Sequence, residues 1–99
     1  MALRHWAFIY TADGSASGGE VNVVDSGACR TVFVGVAKPE EGVEVARRMV
    51  AEGVQLIELC GGFGPVWAGR IIEAIDGAVP VGVVGYGPEA VDQVHAIFA

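Results

Sequence analysis

The 99 residues are 53% hydrophobic and 18% charged, and the formal net charge is −6. A chain of this length can bury one core, it is too apolar to remain disordered, and we expect a single domain over residues 1–99. The negative charge repels nucleic acids and anionic membrane surfaces, so neither is expected as a partner. No apolar run approaches the roughly 18 residues of a membrane-spanning helix.

The cysteines and histidines form no paired or clustered motif. Cys29 and Cys60 are far apart, and two free thiols fit a reducing compartment better than a disulfide framework does. The amino-terminal residues lack the cleavage site of a signal peptide, which also favours the cytoplasm. His5 and His95 are distant from each other and from both thiols, so the spacing predicts no metal site. The glycines at 85–87 have too few residues after them for a dinucleotide-binding unit, and no cofactor is expected.

The first part of the chain predicts a strand, a loop and a hairpin. Residues 4–11 alternate between aromatic and other side chains, which indicates a strand. Small and polar residues at 12–19 indicate a flexible loop. A short strand over 21–24 is then expected to turn at 25–27 into a strand over 30–37. The aromatic residues on one side of the first strand are Trp6, Phe8 and Tyr10.

From residue 30 onward the sequence repeats an apolar strand, a short loop and a helix that begins at proline. The predicted strands cover 31–36, 54–59 and 81–84, and the predicted helices cover 39–52, 65–76 and 88–98. Proline suits the first helical turn, where its missing N–H is not needed. Gly53 and Gly77 stand where a left-handed helix terminator is expected. The apolar helix positions expected in the core are Trp67, Ile71, Ile75, Val91, Val94 and Phe98.

This alternation predicts an α/β fold with a small, mainly parallel sheet of four or five strands and three helices. The strands are apolar on both sides, so both faces of the sheet must be covered. Without a reversal of strand order, the helices would all lie on one face. We therefore expect at least a homodimer.

The segment at 54–65 puts a carboxylate and a thiol at the end of an apolar strand. Glu58 and Cys60 are two positions apart, which predicts that they lie on the same side. A buried Glu58 could act as a general acid or base, or it could be a structural group paired with an arginine or with backbone N–H groups. Cys60 precedes a helix, where N–H groups and the dipole favour thiolate, so it could be a nucleophile or a proton shuttle. It could equally be a small buried apolar residue.

Glycines follow this strand and allow close approach of the backbone to a ligand. Gly61, Gly62 and Gly64 could form an anion-binding loop at the amino end of the next helix, or they could only make a tight turn. The Gly-aromatic-Gly-Pro motif occurs twice, with Phe63 in the first copy and Tyr86 in the second. Because both copies follow strands, the two rings could line one apolar pocket.

Lys38 follows another strand and is expected at the same edge, where it could neutralise an anionic ligand, pair with Glu58 or simply be solvated. These residues predict a small-molecule binding protein or small enzyme, with Glu58 and Cys60 as the candidate catalytic groups. The alternative is a non-catalytic interaction subunit whose aromatic strand is an assembly surface. The sequence leaves open whether the protein is an enzyme.

A family resemblance rests on the central motif. The run at 52–64, which contains Ile-Glu-Leu-Cys-Gly-Gly-Phe-Gly, and the strand at 79–84 resemble a family of small bacterial domains of unknown function. The resemblance covers about residues 30–85, and the tail that begins at 85 departs from it. It implies a small α/β domain and brings no catalytic residue, substrate or cofactor.

Overall fold

A computed structural model describes residues 2–15 and 19–99. Residues 16–18, in the predicted loop at 12–19, lie outside the described residues. In chain order the elements are β1 (His5–Thr11), β2 (Glu20–Asp25), β3 (Arg30–Val36), α1 (Glu41–Ala51), β4 (Ile57–Leu59), α2 (Gly64–Ala74), β5 (Val81–Val83), a short 3₁₀ turn (Pro88–Ala90) and α3 (Val91–Phe98).

The five strands form one mixed sheet in the order β2-β3-β1-β4-β5. β1 pairs in parallel with β3 on one side and with β4 on the other, and β5 extends the parallel part beyond β4. β2 pairs antiparallel with β3 and forms one edge of the sheet. The predicted α/β fold with a mainly parallel sheet is therefore confirmed.

Both long helices lie on the same face of this sheet. α1 leads from β3 across β1 to β4, and α2 leads from β4 to β5, so both connections travel in one direction. Right-handed crossovers that travel in one direction place their helices on one face. The core forms between this face and the two helices, and its most deeply buried side chains include Ile9, Val34, Val36, Met49, Ile57, Leu59 and Ile71.

The helix boundaries follow the glycine and proline signals. α1 begins two residues after Pro39 and ends just before Gly53, which adopts φ +95°. Pro65 lies in the first turn of α2, and Gly77 has φ +63° after the end of that helix. Gly53 is therefore the left-handed terminator of α1, as predicted, whereas Asp76, at φ +53°, takes this position after α2 and Gly77 follows it. No helix in the described part of the chain is long and apolar enough to cross a membrane.

The face of the sheet opposite α1 and α2, here called the open sheet face, carries a cluster of half-buried aromatic residues. Trp6, Phe8 and Tyr10 of β1 point to it, together with Phe33 of β3. The Phe8 ring centroid is 6.4 Å from that of Tyr10 and 6.3 Å from that of Phe33. Tyr10 lies across Gly35, where a Cβ atom would come within 2.7 Å of its ring. No described element covers this cluster.

The prediction that α3 packs its apolar side into the core is wrong. Val91 is 61% exposed and Phe98 is 82% exposed, and α3 buries none of its side chains. α1 and α2 are crossover connections held against the sheet by a strand at each end, whereas no described strand follows α3. α3 instead lies near the carboxyl ends of the strands, where Val94 and Phe98 border a cavity.

Candidate functional site

The carboxyl ends of β1, β4 and β5 meet at one edge of the sheet and enclose an open cavity of about 640 Å³, here called the carboxyl-edge cavity. Parallel sheets commonly bind ligands at this edge, because the loops that leave the strands diverge there. Three segments and one helix line it: Thr11 at the end of β1; Cys60, Gly61, Gly62, Gly64 and Pro65 after β4; Val84, Gly85 and Tyr86 after β5; and Val94 and Phe98 of α3.

Strand pairing places Thr11 and Cys60 side by side. The Cys60 N–H donates to the carbonyl of Ile9 at 3.1 Å, which continues the pairing of β1 with β4 beyond the end of β4. The Thr11 N–H in turn donates to Cys60 Sγ at 3.3 Å, and the Thr11 hydroxyl lies 3.5 Å from the same sulfur. The thiol is therefore held by two polar groups of β1 while it borders the cavity.

The glycine at position 62 is required by this arrangement. A Cβ atom at Gly62 would overlap the Thr11 hydroxyl, whereas one at Gly61 would meet only ordinary contacts, at 3.4 Å from the Val84 carbonyl oxygen and 3.5 Å from Tyr86 Cε2. The Phe63 N–H donates to the Cys60 carbonyl at 3.1 Å and closes the turn. The loop thus lets the backbone pass close to Thr11 and leaves the cavity unfilled.

The structure places the two aromatic residues of the glycine motifs in different surroundings. Tyr86 is exposed and borders the cavity. Phe63 is only 3% exposed and belongs to the core, with its ring beside Gly42 of α1. The turn before α2 places Phe63 on the side of the helix that packs against α1, so the ring cannot reach the cavity.

Glu58 is exposed, and the expectation of a buried carboxylate is wrong. It alternates with the buried Ile57 and Leu59 and therefore lies on the open sheet face, beside Phe8 of β1. Because that face is uncovered in the single chain, the Glu58 side chain is exposed to solvent there. It borders a separate recess of about 190 Å³ with Gly82, Val83 and Val84. The structure thus brings Cys60 to Thr11 and leaves Glu58 outside the carboxyl-edge cavity.

Lys38 is also outside the cavity. It is exposed in the turn after β3, where its carbonyl accepts the N–H of Glu41 at 3.1 Å. The ion pairs among the described residues do not join it to Glu58. None of the described residues that line the cavity carries a charge, so the site offers a thiol, two hydroxyl groups and backbone polar groups.

Sequence reasoning missed six of the lining residues, namely Pro65, Val84 and Gly85 of the two loops, Thr11 of β1, and Val94 and Phe98 of α3. Thr11 ends β1, and its position could have been found from the rule that parallel strands end at a common edge. Val94 and Phe98 belong to the apolar stripe of α3, which its spacing predicts to lie in the core, and they line the cavity instead. Amphipathic spacing shows that a helix has an apolar side and does not show what that side contacts.

The fold and the cavity define a small α/β protein with a mainly parallel five-stranded sheet and a candidate ligand site at its carboxyl edge. A family model described as a family of unknown function (DUF6506) matches residues 4–99. The chain belongs to this family. The match extends beyond the segment at 30–85 that carried the resemblance, and it includes the tail. Searches of curated proteins and of solved structures gave no match.

Proposed function

We propose that the protein binds a small, uncharged and mainly apolar molecule in the carboxyl-edge cavity, with the Cys60 thiol at the polar end of the site. The observation that carries this proposal is the cavity itself, in which a thiol held by the Thr11 N–H and hydroxyl faces a mainly apolar wall. Its volume falls within the range of about 300–1,000 Å³ that is usual for small-molecule sites. The two free thiols, Cys29 and Cys60, support a reducing compartment such as the cytoplasm.

The lining residues favour an uncharged ligand over the anion considered from the sequence. An anion would need a cation or a well-formed cradle of N–H groups, and Lys38 does not line the cavity. Tyr86 and Phe98 instead offer aromatic surface, and Val84 and Val94 offer aliphatic surface. Burial of such surface against a ligand is the main source of affinity in an apolar site.

If the protein is an enzyme, Cys60 is the group to which we assign the reaction. Its sulfur borders the cavity within reach of a bound ligand, and sulfur is the nucleophile in thiol chemistry. Glu58 has no place in this proposal because it does not border the carboxyl-edge cavity. Any proton transfer there would use the thiol, the Thr11 hydroxyl or the Tyr86 hydroxyl.

Thiol labelling with N-phenylmaleimide tests the proposal, because this probe combines an apolar ring with a thiol-reactive group. A ligand that binds before it reacts shows a labelling rate that saturates with its concentration. We expect saturation at Cys60 and a linear dependence at Cys29, which lies in the turn between β2 and β3. N-methylmaleimide should react with Cys60 without saturation in the same range, because it lacks the ring.

Two neighbouring residues of α3 provide matched variants. Phe98 borders the cavity, whereas Ile97 is also strongly exposed and does not border it. Phe98→Ala should raise the half-saturating concentration of N-phenylmaleimide about fivefold, since an aromatic contact is worth about 1 kcal/mol. Ile97→Ala should leave it unchanged. Linear labelling of Cys60 in the wild type, or equal effects of the two substitutions, would refute the proposed site.

A further inference from the structure

We propose that the open sheet face is the interface of a two-fold symmetric dimer, in which a second copy of this chain packs its own open sheet face against the first. This inference is independent of the ligand site, which lies at the edge of the sheet. It concerns the aromatic cluster formed by Trp6, Phe8, Tyr10 and Phe33.

The apolar side chains on the open sheet face need to be covered by another protein surface whenever the chain is folded. Parallel sheets are found almost only with both faces covered, and in this mixed sheet the four parallel strands β3, β1, β4 and β5 are covered by α1 and α2 on one face. The other face carries four aromatic side chains at the centre of the sheet, on β1 and β3. A second copy of the same chain is present wherever the protein is made. It is therefore the most direct source of a cover that is needed whenever the protein is folded.

The accessible surface supports the same conclusion. The single chain exposes 6069 Å², whereas a monomer of 10.2 kDa is expected to expose about 5,300 Å². The excess of about 750 Å² is close to the area of about 800 Å² that each partner buries in a standard protein interface. The chain as a whole, including the exposed α3, thus exposes about as much additional surface as one side of a stable dimer requires.

Charge on the open sheet face also favours a second copy over a partner selected by charge. The strand residues of this face include the carboxylates of Glu20 and Glu58, one on each side of the aromatic cluster, and no lysine, arginine or histidine. The centre of the face is uncharged. Homodimer interfaces have this composition, with an apolar centre and polar groups toward the rim.

The register of the sheet provides a partner for Glu58 in such a dimer. Asn22, Phe33, Phe8 and Glu58 follow one another across β2, β3, β1 and β4. A two-fold axis parallel to the strands, between β1 and β3, places Phe8 against the partner's Phe33. The same axis places Glu58 against the partner's Asn22, whose amide can donate to the carboxylate. The two Glu58 side chains then remain apart.

Two valines of β2 provide a matched test of this interface. Val24 is 60% exposed and pairs with Thr31 on the open sheet face, whereas Val21 is 52% exposed and pairs with Val34 on the helix side. Both are already exposed in the single chain, so a lysine at either position should leave the fold intact, which circular dichroism checks. Light scattering coupled to size exclusion at micromolar concentration gives the mass of each variant.

We expect the wild type and Val21→Lys at twice 10.2 kDa and Val24→Lys at 10.2 kDa. A second measurement uses Trp67→Phe, which leaves Trp6 of the open sheet face as the single tryptophan. Its emission should shift to longer wavelength on dilution, as the mass falls to that of the monomer. A monomeric wild type, or Val21→Lys and Val24→Lys variants of equal mass, would overturn the proposal.

Discussion

At the scale of single residues, the contact between Thr11 and Gly62 shapes the candidate site. Thr11 is β-branched and ends a strand, so its side chain has little freedom to move away. A Cβ atom at Gly62 would overlap its hydroxyl, and the same Cβ would be 3.5 Å from Thr11 Cβ. The hydroxyl alone therefore makes the glycine necessary.

A double-mutant cycle tests this contact. Gly62→Ala should cost about 1–3 kcal/mol of unfolding free energy in the presence of Thr11, which is the usual cost of overpacking. In a Thr11→Ala background the same change should cost less than about 0.5 kcal/mol, so the coupling should exceed about 0.5 kcal/mol. Urea unfolding at one protein concentration measures all four proteins. Gly61→Ala is the control, since its Cβ would meet only ordinary contacts; zero coupling would contradict this account.

The sequence predicted those residues of the candidate site that come directly after a strand. Their position at the edge of the sheet follows from where the strand ends. Cys60, Gly61, Gly62, Gly64 and Tyr86 were predicted to lie at the carboxyl edge, and they border the cavity. The period of two predicts Glu58 and Cys60 on the same side of β4, and this is wrong, because Cys60 lies beyond the end of the strand and packs against the core while Glu58 lies on the open sheet face. The period also could not tell that the side of Glu58 is uncovered. Burial depends on which face the helices occupy, and no local pattern in β4 records that.

At the scale of secondary-structure elements, two helix glycines have opposite roles. Gly42 of α1 lies against Phe63, where a Cβ atom would come within 2.5 Å of the ring and 3.4 Å of Ile71 Cδ1. Gly69 of α2 has no atom within 4 Å of its Cβ position. Gly42 therefore allows α1 to approach α2, whereas Gly69 makes no such contact.

The two alanine substitutions should change stability in opposite directions. Gly69→Ala should raise the free energy of unfolding by about 0.5–1 kcal/mol, because alanine is the better helix former. Gly42→Ala should lower it by about 1–3 kcal/mol, because overlap with Phe63 outweighs the same gain in helix propensity. Urea unfolding of both variants beside the wild type measures the difference. Stabilisation by both substitutions would show that α1 and α2 do not pack as described.

The ends of the helices were largely predictable, because glycine and proline set them through the local backbone conformation. Gly53 and Gly77 adopt the left-handed conformation expected after a helix, and Pro65 lies in the first turn of α2. The packing of α3 was not predictable in the same way. Its apolar spacing resembles that of α2, yet Ile71 of α2 is fully buried and Phe98 of α3 is exposed.

At the scale of the whole molecule, the alternation of strands and helices predicted that the helices lie on one face of the sheet. The order of the strands in the sheet could not be predicted from the sequence. Alternating strands and helices indicated right-handed crossovers, and helices on one face were expected if the connections do not reverse direction. The central position of β1, between β3 and β4, depends on long-range pairing. Pairing over such distances carries no local signature in a strand that is apolar on both sides.

The central claim is that the carboxyl-edge cavity binds small apolar molecules. The most direct measurement is a two-dimensional ¹H–¹⁵N NMR titration of the protein with N-phenylsuccinimide, the unreactive analogue of the maleimide probe. We predict saturable shifts at the amides of Thr11, Gly61, Gly85 and Tyr86, which line the cavity, and none at Val24 on the open sheet face. Shifts confined to the open sheet face, or no saturable shift at millimolar probe, would contradict the claim.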